Sequence, residues 1–216
     1  MRLNLGCGVA VADGWVNIDY AVGARLRRIP VVGALVGRLG ILNTDWDPGV
    51  VVHDLRKPLP WTDASADAIY SSHTLEHLDR EDGRRLIAEC HRVLKPAGLL
   101  RIVVPDLQGY VAEYTTGRLA ATDMLEALHV LGARRLGFWK ELFSILSGSS
   151  HRCMYDAPTL TALLQETGFD ARICAPCDSA IPGIDRFEPG PGEWSEDSRA
   201  RNLFVEGRKR DAEVCG

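Results

Sequence analysis

The sequence lacks an apolar run long enough to cross a membrane as a helix. An apolar stretch at residues 29–42 is interrupted by three glycines and by Arg38, whereas a spanning helix needs about 20 mostly apolar residues. The first residues lead directly into a strand pattern and a glycine turn, without the apolar core of a secretion signal. These absences predict a cytoplasmic protein with no membrane span.

The sequence also lacks an excess of positive charge. It has 25 Lys and Arg against 29 Asp and Glu, which gives a net charge of −4. Proteins that bind nucleic acid through its phosphates usually carry a basic surface. We therefore expect a small-molecule or oligosaccharide partner and no nucleic acid.

A metal-type or redox-type cysteine pattern is missing as well. Of the six cysteines, only Cys174 and Cys177 have a Cys-x-x-Cys spacing. They fall on a predicted strand, where an odd spacing directs two side chains to opposite faces. Reactive pairs of this spacing usually need a helix amino terminus, and a zinc site needs a second pair of ligands. We expect reduced cysteines that serve packing.

Hydrophobic periodicity predicts alternating strands and helices in a single domain of 216 residues. Asp79 is the expected N-cap of a helix over residues 79–94, with residues 96–98 as its end signal. Since that helix joins two strands, we expect a right-handed parallel crossover. The predicted strands up to Pro105 cover residues 2–5, 16–18, 50–53, 67–71 and 99–104.

Beyond Pro105 the pattern becomes mainly helical. Residues 107–146 predict two or three helices, and residues 158–167 predict another, capped by Asp156 or Ala157. The last strands are expected at residues 171–174 and 203–206. These patterns divide the domain into a half expected to bind a ligand (1–106), a helical insertion expected to form a lid over it (107–157), and a carboxyl-terminal part (158–216).

The first segments that indicate a function are residues 3–8 (LNLGCG) and 16–19 (VNID). Each is predicted to be a short strand followed by a loop of the kind that binds a ligand. A Gly-x-Gly turn lets a backbone approach a ligand closely. An acidic residue after the second strand, here Asp19, can accept hydrogen bonds from both ribose hydroxyls. The pattern predicts an adenosine-containing cofactor.

A nicotinamide dinucleotide is the competing cofactor. Its fingerprint requires a third glycine and a helix amino terminus that holds pyrophosphate. Here residues 12–15 (ADGW) turn directly into the next strand and leave little room for a helix. The dehydrogenase interpretation is therefore excluded.

Several further segments occur in a fixed order with these two. They are residues 54–60 (DLRKPLP), 71–78 (SSHTLEHL), 93–98 (VLKPAG) and 103–106 (VVPD). Over residues 2–106 the chain resembles the class I S-adenosylmethionine-dependent methyltransferases, and among them the small bacterial sugar O-methyltransferase-like proteins of polysaccharide and natural-product pathways. The resemblance implies an α/β fold with a Rossmann-like, seven-stranded, mostly parallel sheet, helices on both faces and a helical insertion after strand 5.

The resemblance also implies a cofactor site. Asp19 would hold the ribose, Asp54 and the Leu55 amide would meet the adenine, and Ser72 and His73 would face the sulfonium. The methionine and ribose portion would lie against Asn4, Gly6, Cys7 and Gly8. The family usually has an acidic residue where Asn4 stands.

Methyl transfer to an alcohol needs a group that accepts the alcohol proton, and histidine suits this role near neutral pH. We expect His73 to contact the cofactor or the acceptor. Our hypothesis is that His151 is the general base, with Asp106, Tyr155 and Asp156 arranging the pocket or the imidazole. The alternative is that His151 packs and Asp156 only caps a helix. His53, His91 and His129 are expected to be structural or solvated, and His77 to make a cap or a buried hydrogen bond.

The sequence gives less direct evidence about which acceptor is methylated and whether a metal ion is used. The resemblance favours a saccharide hydroxyl; a small phenol, amine or carboxylate is the alternative acceptor, and a non-catalytic scaffold that binds the cofactor is the second alternative. Asp106 with His73 or His151 could bind magnesium, but magnesium prefers oxygen ligands and no carboxylate cluster is evident, so no metal is expected. Residues 26–42 are a candidate surface for a homodimer or another partner.

Overall fold

A computed structural model describes residues 1–27, 46–128, 150–188 and 201–211. Several predicted features lie outside these ranges. They are most of the candidate partner surface, the insertion helices beyond residue 128, and His129.

A seven-stranded sheet organises the described residues, with the strand order β3-β2-β1-β4-β5-β7-β6. Neighbouring strands are parallel except that β7 runs antiparallel to both β5 and β6. The predicted α/β class and mostly parallel sheet are confirmed. The strands are β1 (Arg2–Leu5), β2 (Val16–Asp19), β3 (Val51–Val52), β4 (Ala66–Ser72), β5 (Leu94–Pro105), β6 (Phe169–Cys174) and β7 (Asn202–Lys209).

Five α-helices and two short 3-10 turns complete the described elements. The turns are Leu75–His77 and Ile184–Arg186. No helix in the described ranges combines the length and the apolarity that a bilayer span requires. The helices are α1 (Val22–Arg27), α2 (Arg80–Val93), α3 (Leu107–Thr115), α4 (Ala121–Ala127) and α5 (Ala157–Glu166).

Side chains of the central strands alternate between two cores, as the period of a β-strand requires. Leu100, Ile102 and Val104 of β5 enter the larger core, where they pack with apolar residues of α2 and α5. Val103 enters the smaller core on the opposite face, with Trp15 and apolar residues of the segment 181–187. The central strands are therefore buried on both faces, which leaves the ends of the strands as the accessible edges of the sheet.

Helix α2 begins as predicted, because the Asp79 side chain accepts a hydrogen bond from Asp82 N at 2.8 Å. The next strand begins earlier than predicted. Leu94 already pairs with Ala66, and a register shift follows before Leu99 pairs with Ala68. Leu94 is fully buried, so the chain enters the sheet directly from the helix.

The Cys-x-x-Cys pair requires a correction. Cys174 is the last residue of β6, whereas Cys177 lies in the turn beyond it at φ +60°. The two thiols are therefore not placed by strand alternation. Cys177 instead donates its backbone N–H to the Glu188 carboxylate at 2.7 Å, which makes the turn part of the packing around Glu188.

Candidate functional site

The candidate site lies where the loops after β1 and β4 meet. β1 and β4 are neighbours, but the chain continues to β2 and β3 on one side and to β5 on the other. Such a switch point opens a crevice at the carboxyl ends of the strands, where open α/β sheets bind ligands.

The loop after β1 is open toward this crevice at Gly8. Gly8 has φ +53°, and a Cβ at this position would meet no atom of the described residues within 4 Å. Its N–H donates to Asp19 Oδ2 at 2.8 Å, and Ala21 N–H donates to Asp19 Oδ1 at 2.6 Å. The Asp19 carboxylate is thus oriented by two amides beside an open stretch of backbone.

Gly6 has a different environment in the same loop. A Cβ at Gly6 would overlap the Thr74 side chain and lie 2.8 Å from the Thr74 Cβ. Thr74 Oγ1 also lies 3.3 Å from the Leu5 carbonyl oxygen and 3.0 Å from the Ser72 carbonyl oxygen. The loops after β1 and β4 are therefore in direct contact.

Asn4 and Cys7 lie beneath the loop. Asn4 is buried, and its Nδ2 donates to the Ala10 carbonyl at 2.9 Å and to Asn17 Oδ1 at 3.0 Å. Both amide hydrogens are used to hold the loop that stands between β1 and β2 in place of a helix. Burial raises the pKa of the Cys7 thiol to about 12, so this side chain stays protonated.

Asp54 follows β3 at the same edge of the sheet. Its carboxylate accepts hydrogen bonds from Arg56 Nε and Nη2, both at 2.8 Å. The side-chain bonds from Arg56 lower the pKa of Asp54 below its ordinary value, so it is ionised at neutral pH. The neighbouring Leu55 side chain is buried in the larger core.

His73 lies directly after β4 in a left-handed conformation, φ +48°. A non-glycine residue at positive φ is uncommon and often marks a functional site. Its N–H donates to the Val103 carbonyl at 2.9 Å, which anchors the backbone to β5. The imidazole is 48% exposed, and its Nδ1 lies 3.2 Å from Oε1 of the fully buried Glu76.

His151 belongs to a segment that is held against the same glutamate. Arg152 and Cys153 donate their N–H groups to the Glu76 carbonyl at 2.8 and 3.1 Å. The His151 side chain is only 8% exposed, and its Nε2 lies 4.0 Å from Glu76 Oε1. Its ring packs edge-on against His77, with centroids 5.1 Å apart.

His73 Nδ1 and His151 Nε2 thus both lie within 4.0 Å of Glu76 Oε1. Sequence analysis missed this glutamate, although the His-x-x-Glu-His spacing of residues 73–77 contains it. His73 precedes the turn Leu75–His77, and this turn places the Glu76 carboxylate against the His73 imidazole.

The remaining predicted residues occupy structural positions. Asp106 is the N-cap of α3 and accepts a hydrogen bond from Gln108 N at 3.0 Å; partial burial raises the pKa of its carboxyl. The Tyr155 side chain lies in the larger core, with its hydroxyl beside Gly83. Asp156 caps α5 through Thr159 N at 2.9 Å, which is the alternative considered for it.

Sequence similarity to known proteins covers the amino-terminal half of the chain, which carries most of the candidate site. Residues 3–102 match a family model described as a methyltransferase domain. A protein of Mycolicibacterium smegmatis, described as a probable S-adenosylmethionine-dependent methyltransferase, is 27% identical over 111 residues, which cover 43% of this chain and 42% of that protein. The match thus spans less than half of the relative's length.

Solved structures match nearly the whole chain at low identity. An S-adenosylmethionine-dependent methyltransferase from Mesorhizobium loti covers 96% of this chain and 90% of its own, with a TM-score of 0.50 and 18% identity. An O-methyltransferase family protein from Burkholderia thailandensis covers 98% of this chain and 51% of its own, with a TM-score of 0.52 and 11% identity. These likenesses concern the fold. Together with the family model, they show that the chain is similar to methyltransferases in sequence over residues 3–102 and in fold over nearly its whole length.

Proposed function

We propose that this chain is an S-adenosylmethionine-dependent O-methyltransferase that acts on a hydroxyl of a saccharide or a glycosylated metabolite. The observation that carries the proposal is the half-exposed His73 imidazole, paired with buried Glu76, one residue away from the contact between Thr74 and the Gly6 loop.

The cofactor fits the first two loops. Open space at Gly8 and the adjacent Asp19 carboxylate suit a nucleoside with two ribose hydroxyls. Gly6 and Cys7 supply backbone to the same cradle, and Asn4 holds it from beneath. Asp54 with the Leu55 amide is assigned to the adenine, and Ser72 and His73 to the sulfonium end.

When bound, the cofactor supplies a methyl group on a positively charged sulfur, and the carbon–sulfur electron pair stays on sulfur as the acceptor oxygen takes the methyl carbon. His73 Nε2 accepts the proton that the hydroxyl loses. Glu76 accepts a hydrogen bond from Nδ1–H, which sets the tautomer and faces Nε2 outward. The greater exposure of His73, 48% against 8% for His151, makes His73 the base in this proposal.

The acceptor assignment combines the sequence resemblance with this base. A sugar hydroxyl is a weak acid, so its methylation benefits from a positioned base. An amine with a free electron pair benefits less. The paired imidazole therefore supports a hydroxyl acceptor.

The first test separates cofactor binding from proton removal. We expect Asp19→Ala to weaken S-adenosylmethionine binding in calorimetry by at least tenfold, because the ribose loses its carboxylate partner. His73→Asn, which tolerates positive φ, should leave that affinity within a few-fold and lower turnover by about 10²–10⁴-fold. Turnover is followed as S-adenosylhomocysteine release with a panel of oligosaccharides.

His91→Gln is the matched control, since His91 lies on α2 and its ring packs against Phe169. Failure of the unmodified chain to bind the cofactor would overturn the proposal. Full turnover in His73→Asn would show that His73 is not the base and would favour an amine acceptor. Transfer of labelled methyl to a phenol or a carboxylate alone would show that the acceptor is not a saccharide.

A further inference from the structure

Three side chains of the types that ligate metals converge behind His73. One ligand atom each from Glu76, His77 and His151 can be chosen so that all lie within 4.8 Å of one another. We call these residues the Glu76 cluster. The 3-10 turn Leu75–His77 places the first two, and the bonds of Arg152 and Cys153 to the Glu76 carbonyl place the third. The cluster is thus held by backbone contacts between two distant segments.

The buried carboxylate of this cluster has an unused oxygen. Glu76 is fully buried, and its Oε2 has no hydrogen-bond partner among the described residues, whereas Oε1 lies 3.2 Å from His73 Nδ1. A buried carboxylate oxygen without a partner is costly and needs a compensating group. A cation among the three side chains would compensate it.

We propose that the Glu76 cluster binds a divalent transition-metal ion, with Zn²⁺ as the ion that fits the donor set. Two imidazoles and one carboxylate are a ligand set of catalytic zinc sites, which keep a fourth position open for water or substrate. Magnesium prefers oxygen ligands only.

The dimensions of the cluster are compatible with this ion. Three atoms within 4.8 Å of one another lie no more than about 2.8 Å from a common centre. Zinc–ligand distances are about 2.0–2.2 Å, so each side chain closes by less than 1 Å, roughly, on binding. The contact between His73 and Oε1 is then the outer-sphere hydrogen bond that ligating carboxylates usually have.

The role of this ion rests on the proposed function. Glu76 would ligate the ion with one oxygen while its other oxygen accepts the hydrogen bond from His73 Nδ1, so the ion would fix the carboxylate that orients the proposed base. Ion binding itself is independent of this role.

Metal binding to the full chain tests the inference. The protein is stripped with a chelator, dialysed and titrated with Zn²⁺, Co²⁺ and Mg²⁺. We expect one equivalent of Zn²⁺ or Co²⁺ at the cluster, no Mg²⁺ at the same concentration, and a Co²⁺ absorption spectrum without thiolate charge-transfer bands. Glu76→Gln and His77→Gln should each weaken Co²⁺ binding by at least ~10-fold, since even outer-sphere partners contribute 10–100-fold. His91→Gln should bind as the unmodified chain does.

The result separates this inference from the proposed function. Absence of Co²⁺ binding, a thiolate spectrum, or unchanged binding in folded His77→Gln would overturn the metal site. The Co²⁺ absorption spectrum of the unmodified protein tests the metal site even if a variant does not fold. S-adenosylmethionine binding, measured on the same stripped protein, tests the proposed function separately.

Discussion

Gly6 and Gly8 are separated by a single residue, yet positive φ serves a different purpose at each. At Gly8 the missing Cβ leaves space open to the crevice, while at Gly6 it leaves space that Thr74 occupies. Glycine at position 6 is therefore required by packing against Thr74, whereas glycine at position 8 leaves space in which the proposed cofactor would lie.

This difference predicts the effect of alanine at Gly6. Gly6→Ala should destabilise the protein by about 1–3 kcal/mol through overlap with Thr74, in addition to the strain of positive φ. Urea denaturation measures the loss. Gly117→Ala is the matched control, because Gly117 has φ +74° and open space around it. Equal losses in the two variants would contradict the overlap.

At the scale of single elements, aspartates define where helices begin. Asp79, Asp106 and Asp156 each accept a backbone hydrogen bond at a helix amino terminus. The sequence predicted a cap at Asp79 and a second one at Asp156 or Ala157, because capping depends on residues that are adjacent in the chain. The sequence suggested a pocket or magnesium role for Asp106, which follows β5, rather than a helix cap.

The α5 cap predicts a pH-dependent contribution to stability. Asp156→Ala should lower the free energy of unfolding by about 1 kcal/mol. Hydrogen bonding to Thr159 lowers the pKa of Asp156, so the cap contributes fully above the unfolded-state pKa of about 3.9 and is lost as pH falls through the lower folded-state value.

Denaturation of variant and unmodified protein between neutral and acidic pH measures this difference, which should shrink only in the acidic range. Asp170→Ala removes an exposed carboxylate of β6 and serves as the control. A difference that is constant with pH would show that the cap does not act through its charge.

At the scale of the whole molecule, a buried ion pair joins the sheet to the chain beyond β6. Arg101 of β5 is fully buried and donates to both Glu188 carboxylate oxygens at 2.8 Å. It also donates to the carbonyls of Ala175 and Asp178 at 2.9 and 3.0 Å. Arg101 and Glu188 are 87 positions apart in the sequence. Local sequence patterns therefore could not predict that they pair.

Removing one partner should be more harmful than removing an exposed pair. Glu188→Ala leaves the Arg101 charge buried and uncompensated, which we expect to cost about 3–5 kcal/mol. Glu166→Ala, which breaks an exposed pair with Arg84, should cost no more than about 1 kcal/mol. Denaturant midpoints of the two variants measure both losses, and comparable midpoints would contradict a dominant role for the buried pair.

The sequence by itself determined what depends on neighbours along the chain. Alternating apolar residues defined the strands, Asp79 defined the start of α2, and the short 12–15 turn excluded a helix after β1. Only the tertiary structure decided the insertion of antiparallel β7 between β5 and β6, the burial of Tyr155 and the meeting of His151 with Glu76. These features depend on contacts between residues far apart in sequence, where the packing of one surface on another, rather than local backbone preference, decides which arrangement is stable.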